Sequence, residues 1–418
     1  MKGAFRSLSV YNYRTWAAGA IISNVGTWMQ RTAQDWIVLA ELTNHNATAV
    51  GIVMGLQFGP QLLLLPVTGW AADHFNRRKL LFVTQATMGA LALLLGLDTV
   101  LGLVQLWHVY IFAFLLGSAA AFDAPARQTF VSELVHEEHL SNAVALNSTS
   151  FNAARMIGPA LAGMLIAGVG TGWVFLLNGL SYAAVLFSIG RLRVRELHER
   201  ERSVQGATGL IAGFRYVSKR PDIVLVLVML ALICTFAINF PIFISTMAVS
   251  VFHSGAGQFG ILSSMMAVGS VSGALLAARR EHPSLAIITA GAGGMGVGLL
   301  LAALAPAYAL FGLALIFVGA SSQTITTTSI GKVQLSTDPF MRGRVMAIVM
   351  AVAMGGTPIG APIVGWVADT FGPRWAIVVG AVSCLLAAAI AIRHQLRHRH
   401  DGSAPLGAPL KASPTPGR

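Results

Sequence analysis

The sequence predicts an all-α membrane protein: twelve transmembrane helices arranged as two pseudo-symmetric six-helix bundles. Three observations lead there. Of the 418 residues, 55% are hydrophobic and only 11% are charged, less than half the roughly 25% charge of a water-soluble domain. Mean hydropathy is +0.69. Apolar runs of about twenty residues, enough to cross a bilayer, recur twelve times, and the two halves of the chain match each other in glycine and tryptophan. Soluble-enzyme and disordered-chain classes are excluded.

In the first half the runs fall at about 14–41, 48–71, 80–102, 106–127, 144–168 and 172–190. In the second they fall at about 222–248, 257–278, 284–306, 308–330, 345–368 and 374–393. These are spans 1 to 12. Lys2 and Arg6 precede a first run that is too long for a signal peptide and lacks a small-residue cleavage site, so span 1 is expected to remain. The domains expected are an N-terminal bundle 1–190, a cytoplasmic linker 191–221, a C-terminal bundle 222–393 and a tail 394–418. Within the linker, Gly209–Arg220 reads as an amphipathic surface helix around Phe214 and Tyr216. From Gly402 the tail is rich in Pro, Gly, Ser and Ala and is expected to be disordered.

A net charge of +12 would suit nucleic-acid binding if the charge formed one basic face. Instead, 24 of the 28 Lys and Arg residues fall in the termini, the linker and the loops after spans 2, 8 and 10. The opposite loops, 42–47, 103–105, 169–171 and 249–256, have no Lys or Arg. Under the positive-inside rule both termini are cytoplasmic in the plasma membrane, and the charge is a topology signal, not a nucleic-acid site. Cys234 and Cys384 sit in apolar runs and read as packed small hydrophobes, with no metal role.

The repeat fixes the internal symmetry. Ile157-Gly158-Pro159-Ala160-Leu161-Ala162-Gly163 matches Ile359-Gly360-Ala361-Pro362-Ile363-Val364-Gly365 at a shift of 202 residues, which also sets Trp173 on Trp375. Parallel six-span repeats place a substrate site near the midplane between them.

Gly69, Asp73, Asn76, Arg77 and Arg78, between spans 2 and 3, resemble the G-x-x-x-D-x-x-G-R-K loop of the major facilitator superfamily. Gly213-Phe214-Arg215-Tyr216, Met341-Arg342-Gly343-Arg344 and the run Asp123, Pro125, Arg127, Gln128 are similar to its drug–proton antiporter branch, which includes enterobactin and macrolide exporters. The resemblance implies the major facilitator fold, and a gate in which Asp73, Arg77 and Asp123 form a charge relay. Asn76 replaces the usual second glycine, Ala113 stands where the family's span-4 arginine would precede Gly117, and no acidic loop motif follows span 8. Ala154, Gly158, Pro159, Ala162 and Gly163 resemble the antiporter motif, which goes with export by exchange; the same small-residue spacing also simply lets helices approach.

Ionisable and polar groups at bilayer depth are costly, which makes them site candidates by default. On span 1, Asn24, Thr27, Arg31 and Asp35 share one helical face. Arg31 and Asp35 stand at i,i+4, as a coupling site or as a self-satisfied pair. Span 2 adds Gln57 and Gln61, span 5 adds Asn152 and Arg155, and the second half adds Asn239 and Gln323. Phe236, Phe240, Phe243, Met265 and Met266 are expected to offer apolar surface to an amphiphile. Asp98 and Asp369 are expected to be solvated, and Glu133 to lie on an open surface. Asp35 is the first candidate for carrying a proton and Asp123 the second, the latter equally a gate residue.

No G-x-x-x-x-G-K-[ST], H-E-x-x-H or G-x-S-x-G sequence occurs, so neither ATP nor an intramembrane catalytic centre is indicated. The expected function is secondary transport by alternating access: proton-coupled efflux of amphipathic small molecules, drugs or siderophore-like metabolites. Its partners would be substrate, protons and lipid, with the chain acting as a monomer and no cofactor. The alternatives are an uncoupled or uptake carrier, or a transporter fold used as a sensor or scaffold.

Overall fold

The computed structural model describes residues 5–198, 208–278, 283–338 and 340–400, and among these every regular element is helical. Span 1 is Tyr11–Trp36, running on into a wider π-helical turn, Ile37–Leu42. Span 2 comes in two pieces, Ala47–Leu63 and Leu65–His74. Spans 3 to 6 are Arg77–Val100, Leu106–Glu133, Glu137–Val169 and Thr171–Gly190. A linker helix, Thr208–Ser218, leads to span 7, which is broken into Pro221–Phe236, Phe240–Thr246 and a π turn Met247–Val251. Spans 8 to 12 are Ala256–Ala278, Leu285–Leu304, Tyr308–Ser336, Arg342–Phe371 and Pro373–His400. Ten of these rods are long and apolar enough to cross a bilayer on length and composition. The other two depart for identifiable reasons: span 1 is too polar, and span 2 is interrupted at Leu64, just before Pro66, which has no N–H to continue the ladder.

The ends of the rods follow ordinary capping chemistry. Asn76 does not take the left-handed conformation that its replacement of glycine suggested. Its φ is −65°, and its side chain accepts a hydrogen bond from the Lys79 amide to cap span 3. Asn46 caps span 2 in the same way through the Ala49 amide. Gly170 (φ 91°) and Gly372 (φ 100°) make the tight turns after spans 5 and 11. They stand 202 residues apart, the offset of the sequence repeat. Spans 1 and 7 both end in a π turn, and each is followed by a positive-φ histidine, His45 or His253.

At the basic end, the linker helix leaves Phe214 exposed and sets Gly213 against Arg344 of span 11. The Tyr216 hydroxyl donates to Asp338 and accepts from Arg220, whose guanidinium also forks onto Asp222 at 3.0 and 2.9 Å. These bonds to Asp222 hold the Arg220 pKa above its ordinary value. Arg200, Arg202, Arg279, Arg280 and the tail from Gly402 lie outside the described residues.

Spans 3 and 6 pack against each other and spans 9 and 12 do likewise, while the halves meet through spans 2 and 11 and through spans 5 and 8. Both seams are built on missing side chains. A Cβ on Gly51 would strike the Ala361 carbonyl, one on Gly365 would strike that of Ala47, and Gly163 faces Gly260 directly. All these contacts sit toward the end opposite the basic face. There Asp369 of span 11, exposed as expected, also reaches across to cap span 2. Its carboxylate accepts from the Ala47 amide (2.7 Å), the Thr48 amide (2.8 Å) and the Thr48 hydroxyl (2.5 Å). Toward the basic face the halves part, and the second segment of span 2 packs on span 4 instead.

Losing such a cap costs about 1 kcal/mol, or about fivefold in an equilibrium. Asp369→Ala should therefore raise the thiol-labelling rate of a cysteine placed at Ala167, which faces Gly257 across the closed seam, about fivefold. Cys234 and Cys384 are buried and should stay silent. An unchanged rate would show that Asp369 does not hold this end shut.

Candidate functional site

Asn24, Thr27, Arg31 and Asp35 form one polar stripe along span 1, and its members have very different partners. Asn24 accepts from Arg127 Nη1 at 3.0 Å. The Thr27 hydroxyl bonds back to the Ser23 carbonyl and lies 3.2 Å from the Tyr182 hydroxyl. Arg31 makes no ion pair with Asp35. Its guanidinium lies over two rings, 5.0 Å from the centre of Trp28 and 4.8 Å from that of Phe58 on span 2. The reason is directional: helical side chains lean toward the N-terminus, so a residue reaches its i−3 neighbour, here Trp28, more readily than the residue a turn ahead. Asp35 is left 4% exposed, with Oδ1 unpartnered among the described residues.

Asp123 is the opposite case. Thr84 Oγ1 and Gln85 Nε2 donate to its Oδ1 at 2.8 and 2.7 Å, and Arg127 donates to Oδ2 through Nε and Nη2, both at 3.0 Å. The chain Asp123–Arg127–Asn24 thus ties span 4 to spans 3 and 1 inside one half. Of the relay implied by the family resemblance, Arg77 and Asp123 do not pair with each other among the described residues. Arg77 pairs at 2.5 Å with Glu133, the residue expected on an open surface, because span 4 extends to Glu133 and brings it over the start of span 3. Arg78 donates to the Ile189 carbonyl at 3.3 Å. Gly69 and Asp73 belong to the second segment of span 2, and the Asp73 side chain lies outside the described residues. Asp98 is not merely solvated either; it holds His108 Nδ1 at 2.7 Å.

On span 5, Ser148, Asn152, Arg155 and Pro159 share one face. At Pro159 that face touches Gly260 of the other half. One to two turns nearer the basic end, Asn152 and Arg155 are exposed in the gap. Asn152 bonds only to the Ser148 carbonyl, and the Arg155 guanidinium lies 5.4 Å from the centre of Trp28. Arg31 and Arg155 thus converge on one indole, and neither has a carboxylate partner among the described residues. Gly158 seats span 5 directly against Trp28 and Met29, and Gly163 packs on span 8, so the antiporter-like motif sets helix approach at the site's edge.

The remaining candidates fall away from the gap or into local bonds. Gln57 is buried and donates to Gln34 at 3.1 Å, while Gln61 is half-buried with no hydrogen bond among the described residues. Asn239 is fully buried at the break of span 7, donating to the Thr235 carbonyl and leaving Oδ1 unpartnered. Gln323 is half-buried and donates to Thr327 one turn on. Phe240 and Phe243 are buried in the core and offer nothing to an amphiphile. Missed at the sequence level were Trp28, Phe58 and a buried amide network in which Gln30 is bonded by Asn178 and Gln34 by Gln57. Gln30 and Gln34, one turn apart on span 1, were the available signal.

Two substitutions should separate these carboxyls. Asp123→Ala strands a buried guanidinium and should cost about 3 kcal/mol, read as a clear fall in melting temperature. Asp35→Asn removes a charge with no partner and should leave the melting temperature unchanged or higher. Equal losses in the two variants would contradict this reading of the geometry.

Comparison with known proteins agrees with the fold. The chain is 26% identical over 354 residues to the staphyloferrin A transporter of Staphylococcus aureus, covering 83% of this chain and 87% of that protein. It is 24% identical over 380 residues to the enterobactin exporter EntS of Citrobacter koseri, covering 89% and 90%. A bacterial homologue of the human lysosomal transporter Spinster, solved inward-facing and unoccupied, superposes with a TM-score of 0.74 at 15% identity, covering 94% of this chain and 99% of that one. The profile of the family described as transmembrane secretion effector matches residues 2–412. With its twelve helical rods, its internal repeat and a polar gap between its halves, the chain belongs to the transmembrane secretion effectors of the major facilitator superfamily.

Proposed function

We propose that this transporter is a proton-coupled exporter of amphipathic small molecules, siderophore-like metabolites or drugs, working as a monomer in the plasma membrane with its basic face in the cytoplasm. The bias of Lys and Arg toward that face supports the orientation. On this reading, the gap that parts toward the basic face is a site open to the cytoplasm, ready to load. The relatives named as an enterobactin exporter and a staphyloferrin A transporter support a substrate of that size and polarity.

The observation on which the reading rests is Asp35. Burying an ionised carboxylate without a partner is costly, so Asp35 is a defect in a purely structural helix and an asset in a proton carrier. It stands on the polar stripe of span 1, one turn from Arg31 and toward the end at which the two seams close. A group in that place exchanges its proton with whichever side the gap faces, which is what coupling by alternating access requires.

The test combines a substrate-panel efflux assay, in cells lacking their own pumps, with transport by reconstituted vesicles under an imposed pH gradient. Asp35→Asn should reach the membrane folded, yet lose at least tenfold of gradient-driven transport. Undiminished pH-driven transport by the variant would remove Asp35 from the mechanism.

A further inference from the structure

The Arg31 guanidinium is placed where a ligand would be expected. It lies over two aromatic faces brought from different helices, Trp28 at 5.0 Å and Phe58 at 4.8 Å, on the polar stripe of span 1. Phe151 stands edge-on to Trp28 at 5.8 Å, and Arg155 lies over the same indole at 5.4 Å. Neither guanidinium is hydrogen-bonded or ion-paired among the described residues, and the carboxyl one turn along from Arg31 has no partner either. Two cations crowd one indole while the nearest acid is left alone. Such an arrangement is poised to rearrange.

We propose that the faces of Trp28 and Phe58 are the seat for a planar aromatic group of the substrate, that Arg155 holds that substrate's anionic group, and that Arg31 occupies the seat itself until Asp35 ionises. This rests on Asp35 as the coupling group. Positions i and i+4 lie about 6 Å apart between Cβ atoms, so a change of side-chain rotamer takes Arg31 from the rings to an ionised Asp35 without moving the helix. With Asp35 protonated, Arg31 stays over the rings and the substrate is shut out. When the proton leaves to water in the open gap, Asp35 draws Arg31 away, both aromatic faces are freed, and Arg155 remains as the unpaired cation to meet an oxyanion. Reprotonation from the other side returns Arg31 to the rings and displaces the substrate there. Proton and substrate thereby exclude each other, which is the logic of exchange. The titratable groups facing this part of span 1 are Arg155 of span 5 and Tyr182 of span 6. The first segment of span 2, span 8 and the part of span 7 from Phe240 to Val251 bring no Asp, Glu, Lys, Arg or His.

The experiment is equilibrium binding of naphthoate to the purified full chain, with uncharged naphthalenemethanol and non-aromatic cyclohexanecarboxylate as matched probes. Wild-type protein should bind naphthoate best, about tenfold more tightly as pH rises from about 5.5 to 8 and Asp35 loses its proton. Arg31→Met should bind naphthoate at least as tightly as wild type does at high pH, and should do so at every pH. Asp35→Asn, which holds Arg31 over the rings, should bind weakly throughout. Phe58→Leu should weaken both aromatic probes, and Arg155→Gln should weaken naphthoate but spare naphthalenemethanol. Weaker binding by Arg31→Met at all pH values would make Arg31 a direct ligand and overturn the proposal, as would a wild type that binds none of the probes. If Asp35→Asn abolished pH-driven transport while Arg31→Met failed to tighten binding, the seat would fall and the exporter reading would stand. If Arg31→Met bound tightly while Asp35→Asn transported normally, the proton assignment would fall with the seat's aromatic character intact.

Discussion

A charge inside a bilayer must be paired, hydrated or discharged, and that constraint organises the whole of the first half of this transporter. Asp123 meets it with donors from three side chains, and Arg77 meets it with Glu133. Both arrangements tie neighbouring spans together within one half and leave nothing for a substrate. Arg31, Arg155 and Asp35 do not meet it within the described residues. They gather around Trp28, Arg31 and Arg155 over its ring and Asp35 one turn along from Arg31. Satisfied charges thus tie spans 1, 3 and 4 together, and the unsatisfied ones on spans 1 and 5 are left to the proposed site.

The second half plays a different role. Its spans bring no ionisable side chain to the middle of the gap, and its contribution is the pair of seams through which it closes on the first half. Those seams depend on backbone meeting backbone: Gly51 at Ala361, Gly365 at Ala47, Gly163 at Gly260. Lipid offers no hydrophobic drive between helices, so close packing of small residues is what holds such surfaces together. A seam made this way releases without leaving large side chains unpacked. The Asp369 cap adds a polar latch at the same end.

The fold was almost wholly legible in the sequence, because bilayer thickness and the positive-inside bias act on composition, which a sequence displays directly. The repeat read from Gly158-Pro159 and Gly360 reappears as paired positive-φ glycines at the same offset. The site was legible by position and not by partner. Helical spacing put Asn24, Thr27, Arg31 and Asp35 on one face, and put Arg155 toward the gap. Spacing also suggested the Arg31–Asp35 pair that does not form, since it cannot register the rings of Trp28 and Phe58 that compete for the guanidinium. Asp369 illustrates the same limit: its partners, Ala47 and Thr48, lie more than three hundred residues away and are backbone groups in part, so no motif announces them. Asn239 stands at the break in span 7, where its side chain turns back to donate to the Thr235 carbonyl, a bond that spacing does not announce.

On the proposed mechanism a protonated Asp35 and a bound substrate exclude each other, and the protons released on binding measure this directly. Purified protein in weakly buffered solution near neutral pH, mixed with naphthoate and followed with a pH indicator, should release about 0.4 proton per ligand bound, the average slope of a tenfold gain in affinity from about pH 5.5 to 8. Asp35→Asn should release none. Proton uptake on binding, or equal release by the variant, would contradict the account.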